Sequence, residues 1–263
     1  MDLVKTDQIV QWLNQQIENT KQKGFVVGIS GGIDSALVST LCAMTNQPVI
    51  AVSLPIFQET ELADRHIAWL TKRHPNVQGL TSDLSYVLDR FEHDIWDSLF
   101  KYNKHGDEHL SELVSANLRS RLRMCALYAY ANASKFLVVG TGNKIEDFGI
   151  GFFTKHGDGA VDVSPIGDLL KSEVTCLANH LGILHDIVQA SPTDGLWPDG
   201  RTDEQAIGAT YGELEYAMKW LNHEITSNYL SERQVEIINI YKDRHFANQH
   251  KMRMPLICQI EKE

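Results

Sequence analysis

Apolar and polar positions follow two rhythms along this chain. From Thr6 to Gln22, Ile9, Val10, Trp12, Leu13 and Ile17 recur near one face of a helix, and Gly24 breaks it. Phe25-Val26-Val27-Gly28-Ile29 is a short, continuous, β-branched run of the kind found in strands buried on both faces. After a glycine turn, Asp34 to Asn46 reads as a helix with Ala36, Leu37, Leu41 and Met44 available for packing. Pro48 to Leu54 is a second buried strand. The spacing of Leu62, Ile67, Trp69 and Leu70 predicts an amphipathic helix over Glu59 to His74, and Val77 to Leu80 a short strand. A helical stretch includes Leu84 to Ile95, Lys101 to His109 is polar and loop-like, and Leu110 to Ala131 forms a long helix. The strand Lys135 to Gly140 follows, then helices over Lys171 to Leu181, Thr202 to Leu221 and Ser231 to Gln249.

Uniformly apolar strands alternating with helices predict an α/β fold, a doubly wound and mostly parallel sheet covered on both faces. No repeat, low-complexity tract or Pro/Gly-rich linker divides the sequence, so residues 1–263 read as one domain. Such sheets bind ligands at the carboxyl ends of strands near a topological switch point. Gly28 and Gly140, each closing an apolar strand, mark the places to look.

Composition narrows the partners. The chain carries 34 acidic residues against 24 Lys and Arg, a formal charge of −10, which argues against a nucleic-acid binder that needs a basic face. Small polyanions can still bind where a few basic groups converge. No apolar run is long enough for a membrane span, and the polar, periodic N-terminal segment lacks the apolar core of a signal peptide, so the expected location is cytoplasmic. Cys42, Cys125, Cys176 and Cys258 are scattered without a C-x-x-C pair and read as reduced, mostly buried thiols.

The strongest chemistry lies in Gly28-Ile29-Ser30-Gly31-Gly32-Ile33-Asp34-Ser35, between strand and helix. Adjacent glycines let backbone approach a ligand closely, and the following helix offers free N–H groups and the positive end of its dipole. That is a phosphate-binding loop, yet it is neither a Walker A loop nor a dinucleotide G-x-G-x-x-G. A carboxylate, Asp34, stands where phosphate oxygens belong. Two anions ~4 Å apart repel by ~1 kcal/mol even in water, and by more in a drier site. Either Asp34 merely caps the helix, or Mg²⁺ lies between it and the phosphates. Glu146, just past the strand ending at Gly140, is a second acid that could complete such a site, although a glutamate there is also an ordinary solvated residue.

The loop SGGIDS resembles that of the N-type ATP pyrophosphatases, an adenine nucleotide α-hydrolase-like, Rossmann-like group. Gly140-Thr141-Gly142-Asn143-Lys144 with Glu146, the block Gly151 to Gly159 with Asp162, Pro165, Lys171, Ser191-Pro192-Thr193, Asp203-Glu204-Gln205, Asn117 to Met124 and His250-Lys251 are similar to the ammonia-dependent NAD synthetases, in family order over almost the whole chain. The resemblance implies that Gly28, Ile29, Ser30, Gly31, Gly32, Ile33, Asp34 and Ser35 hold ATP, with Thr141, Lys171 and Thr193. It implies Mg²⁺ on Asp34 and Glu146, and a catalytic role for Asp34, Glu146 and Lys171. Arg121, Lys155, Asp162, His250 and Lys251 would contact nicotinic acid adenine dinucleotide, and the family acts as a homodimer.

The residues alone leave alternatives open. Arg119, Arg121 and Arg123 fan over different helix faces, so which of them meets a phosphate is undecided. Lys171 opens a helix, where the dipole disfavours a cation; a ligand phosphate or simple solvation would each explain it. His250 and Lys251 lie in a polar tail. Rival readings are a GMP synthetase-like, argininosuccinate synthetase-like or tRNA-modifying ligase, and a nucleotide-binding module without catalysis. The first and last acts of the implied reaction are adenylation of a carboxylate and attack by free ammonia, since neither Cys42 nor Cys125 has a triad to release ammonia from glutamine. Residues 152–159 and 191–202 carry the glycines and prolines of closing lids.

Overall fold

The computed structural model describes residues 2–101, 108–192, 202–226 and 229–260. Its centre is a four-stranded parallel sheet in the order β3-β2-β1-β4, built from β1 (Phe25–Gly28), β2 (Val49–Ser53), β3 (Val77–Thr81) and β4 (Leu137–Val139). The chain runs outward from β1 to β3 and then returns to place β4 on the other side of β1. The switch point therefore lies between the carboxyl ends of β1 and β4, where Gly28 and Gly140 stand.

Strand alternation divides the core between the two faces. Phe25, Val27, Val49, Ala51, Leu137 and Val139 pack on one side, with Leu13 and Ile17 of α1 (Asp2–Thr20), the apolar face of α2 (Ile33–Met44), Leu70 of α3 (Glu61–Arg73) and Leu177 of α6 (Lys171–His180). Val26, Ile50, Val52 and Val138 face the other side, against Leu127 and Ala131 of α5 (Glu108–Ser134). Helices thus cover both faces, as the continuous apolar strands require. Between them in the chain, α4 (Ser85–Lys101) precedes α5, and α7 (His185–Gln189) follows α6.

The carboxy-terminal helices form a further cluster around Ile145 and Ile150, which sit in a seven-residue π-helix, Lys144–Ile150. The stretch expected as one helix from Thr202 to Leu221 is two: α8 (Asp203–Ile207) and α9 (Tyr211–Leu221). Gly208 adopts φ +87° between them, and Thr210 starts α9 by accepting from the Glu213 N–H. A left-handed glycine followed by a capping residue ends one helix and begins another, and that overrides the apolar periodicity across the junction. The last helix is α10 (Glu232–Asn248). Of the expected polar stretch Lys101 to His109, Lys101 closes α4 and Glu108 opens α5, while 102–107 lie outside the described residues. Only Cys42 is buried; Cys125, Cys176 and Cys258 are exposed, contrary to the expectation of mostly buried thiols. Cys125 and Cys176 fall on helix faces turned from the core.

Candidate active site

The loop after β1 is shaped by its own serines. Ser35 accepts from the Ser30 N–H at 3.2 Å and donates to the Gly32 carbonyl at 2.9 Å, and Ser30 Oγ accepts from the Gly32 N–H at 3.1 Å. Gly31 takes φ +88°, and a Cβ there would lie 3.0 Å from Leu62 Cβ and 3.1 Å from the Ala63 nitrogen. Only glycine fits, because the turn demands the left-handed region and α3 leaves no space. The loop lines a cleft of about 870 Å³ at the switch point, towards the upper end of nucleotide-sized pockets.

Asp34, in the first turn of α2, meets groups from two other parts of the chain. Asn143 Nδ2 donates to Asp34 Oδ1 at 3.2 Å, and Lys171 Nζ donates to Oδ2. Lys171 also reaches Glu146 Oε1 at 3.2 Å. Asn143 is fully buried and accepts from the N–H groups of Ile145 and Glu146 at 3.1 Å, so it starts the π-helix that carries Glu146. One side chain therefore caps the element bearing one acid and grips the other acid. Tyr211, the first residue of α9, donates its hydroxyl to Glu146 Oε1, and its ring lies 4.8 Å from Lys171 Nζ.

Lys171 resolves the question raised by its place at the start of α6. It is 7% exposed, so it is not solvated, and the carboxylates of Asp34 and Glu146 bond it. Burial pulls its pKa down, but Glu146 and Asp34 outweigh burial and hold it above the ordinary lysine range. The ammonium thus bridges the two acids. Glu59, Asp147, Asp158 and Asp203 line the same cleft. Asp147, whose carboxylate lies over Gly142 with no room for a Cβ beneath it, has its pKa driven well up by burial and by Asp158, Glu146 and Asp34. Burial likewise raises Asp158, which accepts from Ser120 Oγ at 2.6 Å and the Thr154 N–H at 2.9 Å. Against these acids the cleft sets the basic side chains of Arg123, Lys171, Arg244 and Lys251.

The expected site residues fall into groups. Gly28 to Ser35, Thr141, Glu146 and Lys171 line the cleft together. Lys251 also lines it, donating to the carbonyls of Gly151 and Phe153 at 2.9 and 2.8 Å. Arg121, Lys155 and His250 stand beside one another without lining it: Arg121 Nε donates to the Lys155 carbonyl at 3.3 Å, and Lys155 Nζ to the His250 carbonyl at 2.7 Å. Asp162 is apart, accepting from the Val138 N–H at 2.8 Å and the Tyr128 hydroxyl at 3.1 Å beside a smaller cavity. Thr193 lies outside the described residues. Arg123 lines the cleft, donating to the Leu54 carbonyl at 2.9 Å. Sequence reasoning did not single out Asn143 or Tyr211. Asn143 stood inside the quoted GTGNK motif, whereas nothing local marks Tyr211, which lies 65 residues from its partner Glu146.

A glycine loop on a parallel sheet, with paired acids and a buried lysine at the switch point, defines a nucleotide-dependent enzyme. The chain belongs to the NAD synthase family, whose model matches residues 5–255. It is 34% identical over 253 residues to an NH3-dependent NAD(+) synthetase of Carboxydothermus hydrogenoformans, covering 95% of each chain. Among solved structures it is similar to an NMN synthetase from Francisella tularensis, with a TM-score of 0.83, 30% identity and 99% of each chain covered. It is also similar to an NH3-dependent NAD synthetase from Campylobacter jejuni, with a TM-score of 0.75, 26% identity, 98% of this chain and 100% of that one. The protein is thus a ligase of the NAD synthetase class.

Proposed function

We propose that the protein amidates the nicotinate carboxylate of nicotinic acid adenine dinucleotide with ammonia, consuming ATP. The observation that carries this reading is the convergence of Asp34, Glu146 and Lys171 beside the glycine loop. In the first step a nicotinate oxygen attacks the α-phosphorus of ATP, and the bond to the β-phosphate bridging oxygen breaks to release pyrophosphate. In the second, the ammonia nitrogen attacks the carbonyl carbon of the acyl-adenylate, the C–O bond to AMP breaks, and a proton is lost to water. Both reactants of the first step are anions, so holding them together is the main catalytic task.

Asp34 and Glu146 offer hard oxygen donors converging on one cation position, which fits Mg²⁺ held by two carboxylates and nucleotide phosphates. When bound, Mg²⁺ would neutralise phosphate charge and polarise the α-phosphorus. Loop N–H groups and Ser30 bind phosphate oxygens, Thr141 lines the same wall, and Thr193 contacts ATP by the family resemblance. Lys171, held between Asp34 and Glu146, supplies positive charge for the phosphoryl oxygens. Arg121, Lys155, His250 and Lys251 bind the dinucleotide, and Asp162, which stands apart from the cleft, is assigned to it by the family resemblance alone.

A second reading, amidation of the mononucleotide instead, is favoured by the TM-score of 0.83 with the Francisella tularensis NMN synthetase. One assay separates the two: Mg-ATP and ammonium with either the dinucleotide or nicotinic acid mononucleotide, and a parallel reaction with glutamine. NAD and one AMP per turnover from the dinucleotide with ammonium supports the first reading. Turnover of the mononucleotide alone replaces it with the second, and no AMP from either removes both.

We further read residues 1–263 as a single domain, cytoplasmic and homodimeric. Leu170 packs on the carboxy-terminal cluster next to Leu169 of the sheet core, which supports one unit. No helix among the described residues is long and apolar enough to cross a membrane. Val87, Phe91 and Ile95 form an exposed apolar stripe along α4, the kind of surface a second copy covers.

A further inference from the structure

We propose that Tyr211 is a positioning residue that orients Glu146 for its cation through its hydroxyl, while its ring supports Lys171. The inference rests on the reading of Asp34 and Glu146 as metal ligands. Tyr211 is itself held firmly. It is the first residue of α9, behind the Thr210–Glu213 capping box, and its N–H donates to Glu204 Oε1 at 2.9 Å. The residue is 6% exposed and packs in one cluster with Leu214 and Ile145, so the phenol reaches the acid from a fixed direction.

The hydrogen-bond inventory of Glu146 shows what that direction achieves. The Tyr211 hydroxyl and Lys171 Nζ both bond Oε1, and Oε2 has no donor among the described residues. A phenol has one proton to give, and Asp203 Oδ2 is farther away at 3.3 Å, so the proton goes to Glu146. One carboxylate oxygen is thereby anchored, and the other is left for a metal. The ring centroid 4.8 Å from Lys171 Nζ adds an attractive face for the ammonium. The hydroxyl and the ring act on different partners and can be separated by one substitution. Phenylalanine keeps the ring and the packing and removes only the hydrogen bond.

The test compares wild type, Tyr211→Phe and Glu146→Gln. Electron paramagnetic resonance follows Mn²⁺ binding to protein saturated with a non-cleavable ATP analogue. The Mg²⁺ concentration for half-maximal pyrophosphate release and the melting temperature are read alongside. Residues that orient metal ligands typically change metal affinity about 10- to 100-fold. Tyr211→Phe is expected to weaken Mn²⁺ binding about tenfold and raise the Mg²⁺ requirement in parallel, with near-normal turnover at saturating Mg²⁺. Weakened binding in Glu146→Gln with wild-type binding in Tyr211→Phe overturns the proposal and leaves the metal reading standing, whatever the melting temperature does. Wild-type binding in both variants removes Glu146 as a metal ligand, and the role of Tyr211 with it. Weakening in Tyr211→Phe alone shows that it does not act through Glu146, which also overturns the proposal.

Discussion

Asp34 has a double identity at the scale of single residues. It lies in the first turn of a helix, where an acid is favourable, and it faces a buried lysine in a cleft that holds five further carboxylates. Its charge adds to a crowd of acids, and in the proposed reaction it would serve as a metal ligand beside the nucleotide. Asp34→Asn should therefore slow ATP–pyrophosphate exchange by about 100-fold or more, and should leave the melting temperature of the unliganded protein unchanged or higher. A calorimetric scan beside the exchange assay checks both halves, and near-normal exchange would take Asp34 out of the chemistry. Local motif reasoning reached this residue because the loop is a contiguous string whose turn chemistry is visible in its glycines. Glu146 and Lys171 were reached only through the family resemblance, since taken alone each also reads as an ordinary solvated residue. Asn143 and Tyr211 escaped for a physical reason: their importance comes from what they touch across the fold, and no periodicity records a contact between α9 and the π-helix.

Secondary elements carry their own signatures and their own errors. The strands were legible because burial on both faces forces continuous apolar runs, and the helices because one face packs on the sheet. The π-helix Lys144–Ile150 has too few residues to display any period, and its start depends on the Asn143 amide. The join between α8 and α9 was hidden because Leu214 and Ala217 continue an apolar rhythm begun at Ile207, while Gly208 turns left-handed. Alanine at 208 meets no close neighbour but must adopt φ +87°, so Gly208→Ala should cost about 1 kcal/mol or more in urea unfolding. At the contact of α2 and α3, His66 is fully buried, stacks on Trp69 and bonds Ser39 Oγ at 2.9 Å. Burial lowers its pKa from 6.5 to about 4. Between those values the unfolded chain holds a proton that the folded one does not, so stability rises with pH across that window. The contribution is complete above the unfolded value and is lost as pH falls towards 4. Unfolding curves for wild type should lose about 3 kcal/mol more than those of His66→Phe over this range; parallel curves would show that another group titrates.

For the whole molecule, the order β3-β2-β1-β4 explains why a glycine loop near the start and a GTGN segment past residue 139 meet in one cleft. That convergence follows from alternating strands and helices, which is why fold class and the location of the site were both readable. How copies assemble was not, because exposed apolar residues carry no label for their partner. If the α4 stripe is a dimer contact, light scattering should give about twice the 29.7 kDa chain mass, and Phe91→Glu should return the monomer with ATP binding retained. A monomeric wild type would leave the stripe without that role.

The carbonyls of Ile150, Gly151 and Phe153 are all bonded by Asn248 and Lys251, from the far end of the chain. During synthesis, the sheet and its glycine loop can form once β4 has emerged, yet the wall of the cleft at 151–153 and the residue before it still lack their fasteners. Those arrive more than a hundred residues later, judged by Asn248 against β4. A growing chain therefore has the cradle for a nucleotide well before it has a finished reaction chamber, and that chamber waits for residues 248 and 251 to emerge.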